Sequence, residues 1–137
     1  MKRRILKIFK NIAFVFLITC SVGCLNNIED VTGTVQTNVS FSADVQPIMQ
    51  QHCVSCHNNN FANNNFNATS YESILSGSGT VYGNQIVVPN EPDQSGLVDI
   101  IEPDPESGLQ RMPTGGSLSG DEIQIIRAWI REGAQNN

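Results

Sequence analysis

Cys53-Val54-Ser55-Cys56-His57 sets two thiols three residues apart and an imidazole directly after the second. Upstream, Val45, Ile48, Met49 and His52 recur at i, i+3, i+4 and i+7, the spacing of one helix face. Asp44 stands where an N-cap is needed, and Pro47 then falls in the first turn, where its missing N–H does no harm. The pattern predicts a helix that delivers the chain to Cys53.

At the end of a helix, Cys53 and Cys56 can reach the two vinyl groups of one porphyrin as thioethers. His57 then brings its imidazole beneath the iron, which is the haem c attachment pattern. A thioredoxin-like redox pair would need a βαβ pattern, which the sequence does not show. Zinc would need further ligands, and only His52 is at hand. A structural disulfide suits an oxidising compartment but gives His57 no task. The expectation is one covalent haem c, with Cys53 and Cys56 attached and His57 an axial ligand.

The second axial position has few candidates. Met49 lies one turn before Cys53 and reads as core with Val45 and Ile48, and His52 is poorly placed. Met112, in Arg111-Met112-Pro113-Thr114-Gly115-Gly116, sits in a loop that could pass close to a flat cofactor and offer a soft, neutral thioether. Met112 is the expected ligand; the alternative is an ordinary loop or core residue.

The N-terminus reads differently from the rest. Met1-Lys2-Arg3-Arg4, a short apolar run from Ile12 to Ile18, and Ser21-Val22-Gly23-Cys24 have the order of a secretory leader. A cysteine after a small-residue cleavage site resembles a bacterial lipoprotein signal, with Cys24 the lipidated residue and Cys20 a weaker candidate. Residues 1–23 are the expected leader, 24–40 a polar tether and 41–137 one small domain. A flexible tether of ~16 residues spans roughly 20–25 Å. Beyond the leader only Arg111, Arg127 and Arg131 face thirteen acids, a net charge of −10 with no lysine. Nucleic acid and acidic lipid surfaces are poor partners for such a chain, and a neutral or basic redox protein is a better one.

Within the domain, Asn58–Asn67 is asparagine-rich and reads as a surface loop. Thr69-Ser70-Tyr71-Glu72 resembles a capping box before a short helix over 71–75, and Ser95 can cap another over 96–101. Ser119-Gly120-Asp121-Glu122 is a capping box for a last helix with Ile123, Ile126 and Ile130 as its stripe, closed by Gly133. Asp99, Glu102, Asp104 and Glu106 read as a solvated loop rather than a calcium site. No strand is expected, so the fold class is all-α. Ile74, Leu97, Ile100, Ile101, Leu109, Ile126 and Trp129 are candidate cofactor walls.

Phe41, Asp44-Val45-Gln46-Pro47-Ile48 and Cys53-Val54-Ser55-Cys56-His57 together resemble the start of class I cytochrome c domains, particularly the type named for planctomycete proteins. Val88-Pro89, Pro92, Ser95-Gly96-Leu97, Arg111-Met112-Pro113, Leu118-Ser119, Glu122-Ile123, Trp129-Ile130 and Gly133 extend the likeness over about residues 41–134. Thr114 departs from it, standing where relatives often have a second proline. The resemblance implies a cytochrome c fold, with crossing first and last helices around one haem, and His57 and Met112 as axial ligands. With both axial positions filled, the expectation is an electron carrier rather than an enzyme, exported and membrane-anchored through Cys24. The alternatives are a haem-based sensor with a displaceable Met112, or an accessory cytochrome subunit of an oxidoreductase.

Overall fold

A computed structural model describes residues 38–137. The leader, Cys20, Cys24 and the tether up to residue 37 lie outside the described residues. Those described are helical and contain no strand, only isolated bridges between His57 and Ala62 and between Gly79 and Gly83. The α-helices are α1 (Gln46–His52), α2 (Tyr71–Leu75), α3 (Gly96–Ile101) and α4 (Gly120–Arg131).

The first helix starts earlier, and under a different cap, than the sequence suggests. A wide turn over Phe41–Val45, closed by the Gln46 N–H on the Phe41 carbonyl, precedes α1. Pro47 has no N–H to give to the carbonyl four residues back, so the regular ladder begins only after it. Ser40, not Asp44, is the N-cap: its Oγ accepts from the Ala43 N–H at 3.2 Å. Asp44 reciprocates by accepting the Ser40 N–H at 2.8 Å. Asn38 and Val39, assigned to the tether from sequence, already belong to the packed body. Their N–H groups donate to the Glu132 carboxylate at 3.0 and 2.8 Å, and Val39 is buried.

The longest helix, α4, forms as its sequence predicts. Ser119 Oγ accepts the Glu122 N–H while Glu122 accepts the Ser119 N–H, satisfying two of the donors a helix start leaves open. Gly133, at φ +95°, turns the chain out of the helix. Ile123, Ile126, Trp129 and Ile130 are buried.

The opening turn and α4 pack with opposed chain directions. Phe41 and Trp129 stack with ring centroids 5.5 Å apart near one end, and His52 meets Glu122 at the other. Tyr71, at the start of α2, closes this aromatic cluster edge-on to Phe41 and donates its hydroxyl to the Ala134 carbonyl at 2.9 Å. The C-terminal Asn137 accepts the Phe41 N–H at 2.8 Å and so pins the two ends of the domain together.

The two short helices occupy their expected spans with altered caps. For α2 the reciprocal box is Ser70 with Ser73, one residue along from the Thr69–Glu72 pairing. Ser95 precedes α3 but does not cap it with its side chain. Its Oγ accepts the Val88 N–H at 2.9 Å and donates to the Glu91 carbonyl at 3.0 Å, tying off the Pro89–Pro92 turn. The first donors of α3 go instead to the carbonyls of Gln85 and Ile86.

Candidate functional site

A cavity of about 530 Å³ opens where the end of α1, the asparagine-rich loop, α3 and the loop before α4 meet. Cys53, Cys56 and His57 line it, and so does Met112, from 55 residues further along the chain. The remaining wall is mainly apolar: Phe66, Val81, Ile86, Leu97, Ile100, Ile101, Leu109 and Leu118. Leu97, Ile100, Ile101 and Leu109 were expected there. Ile74, Ile126 and Trp129 were expected too, but lie elsewhere in the core, because α4 turns its apolar stripe toward Phe41 and Tyr71.

The Cys53–His57 segment leaves α1 as a tight turn. The Cys53 N–H donates to the Met49 carbonyl, and the N–H groups of Cys56 and His57 both donate to the Cys53 carbonyl, at 3.1 and 2.9 Å. Cys53 and Cys56 stand as free thiols, one half-buried and one exposed. Burial pushes the Cys53 thiol up to about 11.

His57 is held by the asparagine-rich loop. Its Nδ1 lies 3.2 Å from the Phe66 carbonyl, an oxygen that can only accept, so Nδ1 is the donor of this contact and Nε2 is not used by it. The Phe66 ring packs edge-on to the imidazole at 5.2 Å. A ligating histidine needs this arrangement, with one nitrogen fixed by a backbone carbonyl and the other free.

The asparagines shape that loop by bonding to their own backbone. Asn58 accepts the N–H groups of Asn60 and Phe61 and donates to the Val54 carbonyl at 2.8 Å. Asn64 and Asn65 take up left-handed conformations. The sequence marks this stretch only as a surface loop; its Phe66 carbonyl is a site group that spacing does not reveal.

Met112 hangs from α3. Its N–H donates to the Ile100 carbonyl at 2.8 Å, and Arg111 Nε donates to the Ile101 carbonyl at 2.9 Å. Both carbonyls belong to the last turn of α3 and have no partner inside the helix, so the loop supplies the missing donors. Met49, on the inner face of α1, is fully buried and is core, as its spacing indicates. His52 reaches the cavity wall, but its Nε2 is engaged by Glu122 Oε1 at 2.9 Å.

No protein-family model, curated protein or solved structure matches this chain. The site is therefore read from its own geometry. Among the described residues, no three or more His, Cys, Asp or Glu side chains are grouped to hold a metal ion by themselves. Asp99, Glu102, Asp104 and Glu106 line a separate acidic groove of about 780 Å³, in which Glu102 pairs with Arg127 at 3.1 Å. Arg127 also pairs with Asp93.

The cavity's donor set is two thiols, one imidazole and one thioether around an apolar volume. That set fits a flat, largely apolar macrocycle carrying a metal, held covalently at one edge. It does not fit a bare cation, which would need its ligands drawn together.

Proposed function

We propose that this protein is an electron-transfer module of the class I cytochrome c type, binding one haem c covalently through Cys53 and Cys56. His57 and Met112 are the axial ligands in this reading. The observation that carries it is the single apolar cavity onto which all four residues open. Bound there, the group would supply a one-electron ferric/ferrous couple.

The chain's own residues account for the rest. The Phe66 carbonyl takes the Nδ1 side of the His57 ring, so that Nε2 would be the nitrogen that holds the group. The Met112 thioether is neutral and soft, and it favours the reduced state more than a second nitrogen would. Leu97, Ile100, Ile101 and Leu118 give the cavity an apolar wall, which would push the potential of a group bound there the same way. Held by His57 and Met112 together, the group would offer no open position to a substrate, so this reading is of a carrier rather than an enzyme.

In this reading residues 1–23 would be a leader and Cys24 a lipid anchor outside the cytoplasm, and the net charge of −10 beyond residue 23 suits a neutral or basic redox partner. No described helix is long and apolar enough to cross a membrane.

The deciding experiment is the absorption spectrum of the purified holoprotein in both redox states, after denaturing extraction and for Met112→Ala. Haem should stay with the chain through extraction. The oxidised protein should show the weak long-wavelength sulfur-to-iron charge-transfer band, and Met112→Ala should abolish it. Release of haem on extraction would sink the attachment. A missing band with rapid carbon monoxide binding to the reduced protein would turn the reading to a sensor.

A further inference from the structure

The loop that carries Met112 is held at two places, and one of them is a side chain. Asp99 projects from α3, and its Oδ1 accepts the Glu106 N–H at 2.5 Å. Its Oδ2 accepts the Ser107 N–H at 3.3 Å and the Tyr82 hydroxyl at 2.6 Å. The Tyr82 hydroxyl also lies 2.8 Å from Ser107 Oγ. Three groups from two separate loops thus converge on one carboxylate.

The other hold is the last turn of α3, where the Ile100 and Ile101 carbonyls take the Met112 N–H and the Arg111 side chain. The segment between the two holds, from Ser107 to Arg111, includes exposed Leu109 and is held locally by the Gly108 N–H on the Pro105 carbonyl at 3.0 Å and a weak 3.4 Å bond from the Leu109 N–H to Ser107 Oγ. Without the Asp99 carboxylate, the chain before Met112 would be tied at that end only by the single Tyr82–Ser107 hydroxyl contact.

Tyr82 links the clamp to the cavity. Its ring lines the cavity, and it sits so close to Gly96 that a Cβ there would lie 2.3 Å from Tyr82 Cγ. The glycine lets the ring lie flat on the start of α3, which aims the hydroxyl at Asp99 one turn on.

We propose that Asp99 is a positioning residue, which, with Tyr82 and Ser107, clamps the 103–112 loop onto α3 and thereby sets how firmly Met112 holds the metal. The inference rests on the His57/Met112 reading and goes beyond it. Asp99 touches neither ligand; it acts by restricting the loop. Its carboxylate is well suited to this, because hydrogen bonds to an ionised acceptor are stronger than neutral ones. Burial alone would raise its pKa, but the hydrogen bonds from Tyr82, Ser107 and Glu106 outweigh that and keep it low.

The test compares holoproteins carrying Asp99→Ala, Asp99→Asn, Tyr82→Phe and Asp93→Asn with the unsubstituted chain. The readouts are the sulfur-to-iron band of the oxidised form and the rate of carbon monoxide binding to the reduced form. That rate is proportional to the fraction of molecules in which Met112 is off the metal. Asp99→Ala should weaken the band and speed carbon monoxide binding by roughly tenfold, and Tyr82→Phe should act in the same direction by less. Asp99→Asn keeps one acceptor oxygen, enough for the Glu106 N–H, but sets an NH2 against the Ser107 N–H, so it should restore only part of the band. Asp93→Asn, which alters charge in the same groove but touches Arg127, should change neither readout.

An Asp99→Ala protein with a lower melting temperature but the band and rate of the unsubstituted chain would overturn the proposal, leaving Asp99 merely structural. An equal response in Asp93→Asn would overturn it in favour of a general charge effect. If Asp99→Ala does not fold, an unaltered rate in Tyr82→Phe overturns it instead. Failure of the Met112 reading is recognised separately, because the unsubstituted holoprotein would itself lack the band.

Discussion

His52 Nε2 lies 2.9 Å from Glu122 Oε1, joining the residue just before the attachment motif to the first turn of the last helix. The same carboxylate caps that helix by accepting from Ser119. Glu122 therefore serves two elements at once, and its loss should be felt at both.

Glu122 gives a pH dependence with a defined sign. Hydrogen bonds from the Ser119 backbone and side chain, then from His52, lower its pKa below the ordinary carboxylate range. A group depressed in the folded state contributes stability above its unfolded pKa and loses it as pH falls through the folded value. Thermal midpoints should therefore decline below about pH 4.3, and less steeply in Glu122→Gln. At neutral pH, Glu122→Ala should cost about 1–2 kcal/mol through the lost cap, measured by urea unfolding. An identical acid limb in Glu122→Gln would refute the linkage.

Gly96 should resist the smallest substitution. Alanine normally favours a helix over glycine by ~1 kcal/mol. Here its Cβ would enter the Tyr82 ring. Gly96→Ala should destabilise the holoprotein by about 1–3 kcal/mol, as overpacking does. Combining it with Tyr82→Ala should recover much of that loss. Additive penalties in the double variant would show that the ring is not the obstacle.

The chain without its cofactor should not fold stably. At ~24 cal/mol per Å³ of void, half of a 530 Å³ cavity would cost roughly 6 kcal/mol. Domains of this size are stable by only ~5–15 kcal/mol in total. Far-UV circular dichroism of Cys53→Ser/Cys56→Ser protein should show much reduced helicity. The fluorescence of Trp129, the only tryptophan, should report an exposed indole. A native-like spectrum with a buried tryptophan would contradict this.

Charge should set the rate of electron exchange. With a net charge of −10 beyond the leader, the reduced protein should react several-fold faster with a cationic inorganic oxidant than with an anionic one of matched driving force. The difference should shrink as ionic strength rises toward ~0.15 M, where the screening length falls to about 8 Å. Equal rates at low salt would mean that the acids lie too far from the exchange site to steer.

Elements bounded by local chemistry were legible in the sequence. The Ser119–Glu122 box, the α4 stripe and the span of α3 depend on residues within a turn or two of each other. Caps were less legible where several candidates compete. Asp44 was the expected cap of the first helix, but the wide turn over Phe41–Val45 moves the cap back to Ser40, whose N–H Asp44 accepts. Ser95 is a good cap by type, but the chain turn at Val88 and Glu91 offered its hydroxyl other partners. The inner walls were half legible, since a buried isoleucine on a stripe does not say which neighbour it faces.

By itself the sequence determined the chemistry on offer: two thiols and an imidazole at one helix end, a thioether in a distant loop, and a strongly acidic chain beyond residue 23. Spacing and side-chain type suffice for that, because those groups act within a few residues. Only the tertiary structure decided what surrounds them. The Phe66 carbonyl under His57, the Glu122 carboxylate on His52 across 70 residues, and the Asp99 clamp on the Met112 loop all join groups from different elements. Each depends on how helices and loops pack against one another, and no local pattern encodes that.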